Sequence, residues 1–255
     1  MPDRSKGEYM AGLEKGLAII ETFENARERL SLTEVAKAVD LTRASARRCL
    51  RTLEHLGYAS YDGKYYRMAP RILRLGHAYM SSNILAKIVQ PVIEATSEGT
   101  GESMAVAVLD GTSAVVIART SVRKSLSSGL AAGSRLPVYC SATGRMLLSS
   151  LSDSEAKAIL NRCVRSQLTP RTKTDPKEIL REIAAARAKG HTINDQEVEV
   201  GLRTIAVPIH DQSGKMVAAM SISAQTSRVP LRSLVSTLLP EISAARNRVM
   251  SLLQA

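Results

Sequence analysis

The 255-residue sequence contains no tryptophan and one phenylalanine, and beyond residue 80 its only aromatic side chain is Tyr139. A ring-bearing ligand held in that part of the chain would meet aliphatic walls. Cysteine is scarce as well. Cys49, Cys140 and Cys163 are scattered, odd in number, and show no CxxC and no nearby histidine pair. That argues against a disulfide scaffold and a structural zinc site and fits a reducing cytoplasm. No stretch approaches the roughly 20 apolar residues of a membrane helix, and the polar start, Met1-Pro-Asp-Arg-Ser-Lys-Gly-Glu8, lacks the apolar run of a signal peptide. A cytoplasmic chain with no membrane partner and no cofactor is expected. Internal repeats and low-complexity segments are missing too.

Catalytic signatures are equally thin. Cys140-Ser141 lacks a GxSxG elbow, the histidines at 55, 77, 191 and 210 are isolated, and Gly129-Leu-Ala-Ala-Gly133 is neither GxGxxG nor a phosphate loop. A hydrolase with an appended DNA-binding domain is the minor alternative, with Cys140 or Ser141 as its nucleophile.

What is present is charge in a pattern. The net charge is +11, but residues 1–80 hold 14 Lys and Arg against 10 Asp and Glu, a net of only +4. The local cluster matters more. Between Thr42 and Arg74 there are eight Lys or Arg against two acids, a net of +6. Ser31 to Val39 spaces Leu32, Val35, Ala36 and Val39 as one side of a short helix, and Asp40-Leu41 makes a turn. Thr42 is placed to cap a second helix running to about Leu56, with Gly57 at the left-handed C-terminal position. In that helix Ala46, Leu50 and Leu53 face inward, while Arg43, Arg47 and Arg51 recur every fourth residue with Arg48 beside them. Tyr58–Tyr61 and Lys64–Arg67 then flank Asp62-Gly63, a favoured hairpin turn. A helix, a turn, a basic helix and a hairpin in that order form a winged helix-turn-helix, a device for reading DNA. The cations, including Lys64, would release counterions from phosphates. Arg43, Ser45, Arg47 and Arg48 would read bases, Arg47 and Arg48 by bidentate pairing with guanine.

The opening helix is expected from Leu13 to about Glu24, with Leu13, Leu17, Ile20 and Phe23 on one face, after a loose tail over residues 1–10. Pro70 starts a connecting helix through Met80, with a boundary at Ser81-Ser82-Asn83. The remainder mixes helices (85–97, 141–151, 154–163, 176–189, from about 231) with strands (103–109, 114–118, 205–209, 216–223). A glycine-containing loop is expected from Gly129 to Pro137. Antiparallel strands flanked by helices without βαβ alternation read as α+β.

If Ser141 caps a helix, the N–H groups of Ala142, Thr143 and Gly144 point outward at its positive end, where a carboxylate would bind. Ser221 and Ser223, two apart on a strand, face one side; on the residues alone an ordinary solvated strand face is the favoured explanation. Arg135 precedes the helix as a carboxylate partner or a surface-loop residue.

Over roughly residues 11 to 250 the chain resembles the IclR family of bacterial transcriptional regulators. The carrying segments are Leu13-Glu-Lys-Gly-Leu-Ala-Ile-Ile20, the winged helix, Gly133 to Leu148, and Asn194 to Ile209. The last two are most similar to the branch controlling aromatic-acid catabolism, the protocatechuate, 4-hydroxybenzoate and β-ketoadipate regulators. The resemblance implies a DNA-binding domain (1–69), a linker helix (70–82) and an effector-binding domain (83–255) with a profilin-like or GAF-like sheet. It implies homodimers or tetramers on a palindromic double-stranded DNA operator, and a small carboxylic-acid effector. In relatives with small acids bound, the effector meets amides at a helix start, matched here by Ala142 and Thr143. It also meets side chains matched by Asn194, Thr204, Ser221 and Ser223. Asn194 and Thr204 depart from the Asp and Cys of the glyoxylate- and pyruvate-responsive pattern, which disfavours a glyoxylate-like ligand. A regulator of another small-acid pathway is the alternative.

Overall fold

A computed structural model describes residues 9–23, 29–120 and 130–254. The chain divides after Tyr79 into two compact units.

In the first unit, α1 (Ala11–Glu21) precedes a two-residue strand, β1 (Leu30–Ser31), and α2 (Leu32–Ala38). Ser31 and Glu34 close a reciprocal capping box at the start of α2, satisfying two amides that the first turn leaves without helical partners. Thr42 Oγ1 accepts from the Ser45 amide at 3.2 Å and starts α3 (Arg43–His55). Gly57 follows at φ +76. The wing is β2 (Ala59–Tyr61) and β3 (Tyr65–Met68), and β1 adds to the free edge of β3 through Leu30↔Tyr66. Two residues are too few for alternation to announce a strand, and β1 was not expected.

Two details differ from the sequence expectation. The opening helix buries Ile19 completely and leaves Leu13 and Leu17 59% and 47% exposed. The buried face is fixed by packing against Val35, Ala46 and Leu50, which the helical period alone does not identify. In the hairpin the Asp62 N–H donates to the Tyr65 carbonyl, so Gly63 and Lys64 are the central pair, not Asp62 and Gly63. Gly63 supplies the positive φ, +97, while the Asp62 carboxylate accepts from the Lys64 and Tyr65 amides. Glu24, the expected end of the first helix, and Gly129, the expected start of a later loop, lie outside the described residues, as does the tail before Tyr9. After the wing a single 3-10 turn (Pro70–Ile72) leads to α4 (Leu73–Ser82). Ser81 and Ser82 thus end a helix rather than break the chain, and Asn83 caps α5 (Ile84–Thr100).

The second unit is built on one antiparallel sheet. Its strands are β4 (Ser103–Asp110), β5 (Ser113–Arg119), β6 (Arg135–Pro137), β7 (Thr192–Asp195), β8 (Leu202–His210) and β9 (Met216–Gln225), in the order β6-β5-β4-β9-β8-β7. The expected 129–137 loop ends in β6, which pairs with β5 through Ala114↔Leu136. Helices α6 (Ala142–Leu148), α7 (Asp153–Arg162) and α8 (Pro176–Lys189) come between β6 and β7. The chain ends in a short turn, α9 (Leu231–Ser233), a π-turn (Leu234–Leu238), and α10 (Leu239–Gln254). This is an α+β fold.

The two sheet faces differ in kind. Met104, Val106, Ile205, Val207, Ile209, Met220 and Ile222 form one face and pack on α5 and α10 as the main core. The other carries Ser103, Ala105, Ala107, Thr204, Ala206, Ala219, Ser221 and Ser223 at alternating positions. Small side chains there let a short helix approach closely. Accordingly α6 lies wholly buried over Ala107, Ala206 and Ala219. A Cβ on Gly144 would come 2.4 Å from the Val138 Cα, so glycine is required where the chain folds back against the start of α6.

Candidate functional site

In the first unit, α3 buries Ala46, Leu50 and Leu53 and exposes Arg43, Arg47, Arg48 and Arg51. Its first turn contains no acid, so nothing there opposes an approaching phosphate. The Thr42 hydroxyl is committed to the cap, where it accepts the Ser45 backbone amide. Lys64 sits at the tip of the wing with its ammonium 5.1 Å from the Tyr65 ring centroid, and Arg29 covers the same ring at 4.7 Å. Arg29 escaped the sequence reading because it precedes the motif. Tyr61 stacks on Tyr66 at 4.5 Å and stiffens the sheet. Backbone hydrogen bonds from Tyr65 and Lys64 hold the Asp62 carboxyl below its ordinary pKa, so the wing keeps one fixed negative charge near Arg67 and Arg29. The seven residues expected to meet DNA share this unit, with those of α3 on one helix and Lys64 on the hairpin tip.

In the second unit a cavity opens where α6 begins. Its lining includes Ala142, Thr143, Asn194, Thr204, Ser221 and Ser223, so six of the seven expected effector residues converge. The register explains this. Asn194 pairs with Thr204, Thr204 with Ser223, and Ser223 with Ser103, a polar row across four strands. Directly opposed residues in an antiparallel sheet lie side by side on one face. One row over, Ser221 lies between Ala206 and Ala105.

The seventh residue falls elsewhere. Arg135 lies on the edge strand β6 and pairs with Asp110 at 2.8 Å rather than lining the cavity. Strand pairing with β5 turned the expected loop outward. Arg119, at the end of β5, lines the cavity instead. Alternation gave no cue to Arg119, which follows an apolar strand and ordinarily reads as a solvated terminus.

The polar groups are unequally committed. Ser141 Oγ accepts from the Gly144 amide, so of the three amides expected to be available Gly144 is already taken. The Asn194 side chain donates to the Cys140 carbonyl and accepts from the Glu197 amide, which gives it a structural task. Thr204 and Ser223 share a hydrogen bond of 2.9 Å, and Ser221 Oγ donates to the Ala105 carbonyl at 3.3 Å. Thr143 Oγ1 differs: among the described residues it is the buried side-chain polar atom with no partner. Such an atom is costly unless a ligand or water satisfies it. The cavity holds about 60 Å³, below the roughly 300–1,000 Å³ of ordinary ligand pockets. Its walls must therefore part to admit an organic acid.

Behind the cavity, Arg145 is buried at the centre of α6. It donates to both Glu197 carboxylate oxygens at 2.6 Å and to the Tyr139 carbonyl at 2.9 Å. Thr192 Oγ1 donates to the Ala142 carbonyl. These bonds fix α6 to β7 and to the segment after it. Sequence reasoning missed the Arg145–Glu197 pair, whose members are 52 residues apart.

The Cys140 thiol is buried. Burial pushes it up to about 11 despite the nearby Tyr139 hydroxyl and Arg145, and the reactive form is the thiolate. Ser141 Oγ donates to the Pro137 carbonyl as well as capping α6. Among the described residues no cluster of His, Cys, Asp or Glu could hold a metal, and no helix is long and apolar enough to cross a membrane.

Comparison with known proteins matches residues 12–63 to the IclR helix-turn-helix domain and 77–249 to the bacterial transcriptional regulator IclR C-terminal domain. The chain is 39% identical over 239 residues to the Pca regulon regulatory protein of Pseudomonas putida, covering 93% of this chain and 82% of that protein. A crystal structure of a Rhodococcus sp. RHA1 protein assigned as a transcriptional regulator is 40% identical. It covers 96% of this chain and 99% of its own, with a TM-score of 0.81. The inducer-binding domain of an Acinetobacter PobR double mutant, solved with 3-hydroxybenzoic acid, is 28% identical. It covers 67% of this chain and 99% of its own, with a TM-score of 0.61.

Proposed function

The chain belongs to the IclR family of bacterial transcriptional regulators, and from that premise we propose a cytoplasmic operator-binding protein whose DNA affinity or activity is set by an acid from aromatic catabolism. The division is residues 1–69 for DNA, 70–82 as linker, and 83–255 for the effector. Helix α3 enters the major groove with Arg43, Arg47, Arg48 and Arg51, while Lys64 on the wing meets phosphate. Two-fold operators require paired chains at fixed spacing, so the working form is a homodimer or tetramer. No catalytic step is assigned: the Cys140 thiol stays protonated and Ser141 is committed to its cap.

The effector carboxylate sits at the Ala142 and Thr143 amides, and its other polar groups meet Ser221, Ser223 and Thr204, with Asn194 holding the wall. The observation that carries this reading is the buried Thr143 Oγ1, left without a partner inside the cavity. A carboxylate there would satisfy it. The P. putida relative regulates the Pca regulon and the PobR domain holds 3-hydroxybenzoic acid, which favours an acid of that class here. Because the free cavity is small, binding must displace its walls, and that displacement is what links acid to operator.

Ser221→Asp tests the site. A second negative charge in a partly dry pocket opposes an acid. The variant should lose the thermal stabilisation that protocatechuate, 4-hydroxybenzoate or β-ketoadipate gives the wild type, and should still bind operator DNA. Unchanged stabilisation would move the effector out of this cavity.

A further inference from the structure

Two poles of the cavity differ in chemistry. At one, Thr143 and the start of α6 stand over Ser221 and Ser223. At the other is Arg119, the single Lys or Arg among the described lining residues, which include no Asp or Glu. Between them the register runs Ser221↔Ala105↔Arg119 across β9, β4 and β5. These residues share a face, and the middle one is alanine, so no bulky side chain stands between the two ends of the row. Two strand spacings, about 10 Å, separate the ends of this row. Leu130 and Leu136 add apolar wall.

The guanidinium is held in place: Nη1 donates to the Leu130 carbonyl. Burial pushes its pKa down, and the nearby Glu199 opposes that shift. A partly desolvated cation in a cavity whose lining offers hydroxyls and alkyl groups suits a bound oxyanion, which a planar fork of five N–H donors recognises with direction. We propose that Arg119 binds a second acidic oxygen of the effector, at the end remote from the carboxylate that meets α6. The ligand class is then bifunctional: an acid whose far end carries another carboxylate or a phenolic hydroxyl. The proposal rests on the placement of the effector in this cavity and adds its length and polarity.

Titration calorimetry on the full chain with two matched pairs tests it: benzoate against 4-hydroxybenzoate, and hexanoate against adipate. In wild type the bifunctional member binds about tenfold or more tightly, a factor worth about 1.4 kcal/mol. Arg119→Gln brings that member down to its monofunctional partner and leaves the partner's affinity unchanged. Arg119→Lys, which keeps charge without the fork, retains part of the preference and serves if the glutamine variant does not fold. Glu199→Gln removes an anion near the guanidinium and should tighten bifunctional acids. A wild type that discriminates in neither pair, or a preference that survives both Arg119 substitutions, overturns the proposal. Ser221→Asp separates the two levels. If it weakens every acid while Arg119→Gln changes nothing, only the role of Arg119 falls. If it weakens none, the cavity itself is wrong.

Discussion

Arg145 and Glu197 meet fork to fork, with both hydrogen bonds at 2.6 Å and side-chain exposures of 1% and 5%. The pair ties the middle of α6 to the residue three beyond Asn194, and Glu197 also accepts the Lys173 amide. The start of α6 and the strand end at Asn194, which both line the cavity, are therefore joined through one buried ion pair. Such a pair adds little net stability over apolar packing, but breaking it strands a charge.

Glu197→Ala should accordingly destabilise the protein by about 3–5 kcal/mol, read as a lower denaturant midpoint for the C-terminal domain. It should also abolish the thermal response to effector, because the start of α6 loses its anchor. A loss below about 1 kcal/mol, the scale of exposed ion pairs, would mean that water reaches Arg145.

Arg47→Ala or Arg48→Ala should weaken specific operator binding by roughly 1–3 kcal/mol where the side chain makes a bidentate base contact. Both side chains are exposed, on the helix that buries Ala46 and Leu50, so the melting temperature should stay put. Competition gel shifts against nonspecific DNA provide the measurement. Wild-type specificity in both variants would remove α3 from the major groove.

Cys140 should resist iodoacetamide at pH 8 in the native protein and react only in denaturant, as peptide mapping would show. Its thiol is held near 11 by burial, against an ordinary value of 9.0. The sign for stability follows. Between those values the folded state keeps a proton that the unfolded chain releases, so this group's contribution to stability falls as pH rises from about 9 toward 11. Rapid native alkylation at Cys140 would contradict its burial.

What the sequence made legible was local. Thr42 as a cap, the arginine stripe of α3, and Ser141 ahead of a buried helix are all encoded within a turn or two of themselves. Alternation puts Ser221 and Ser223 on one side of their strand, which needs only that strand, while it is the family resemblance that points to them as ligand contacts. The errors were matters of partnership. Whether Ile19 or Leu17 faces inward depends on where α2 and α3 lie. Whether Arg135 or Arg119 reaches the cavity depends on which way β5 and β6 pair. The Arg145–Glu197 bridge joins residues 52 positions apart, and no periodicity announces such a contact.

The small residues on this face of the sheet have a consequence for how the scaffold can be retuned. Ala105 lies directly beside Ser221 and lines the cavity, whereas Ala206, on the other side of Ser221, is packed under α6. Ala105→Val would therefore take up space in the cavity while the strand pairing stays intact, and Ala206→Val would press on α6 instead. On the effector placement proposed above, the length of acid that fits is adjustable at position 105 by a substitution confined to the second unit.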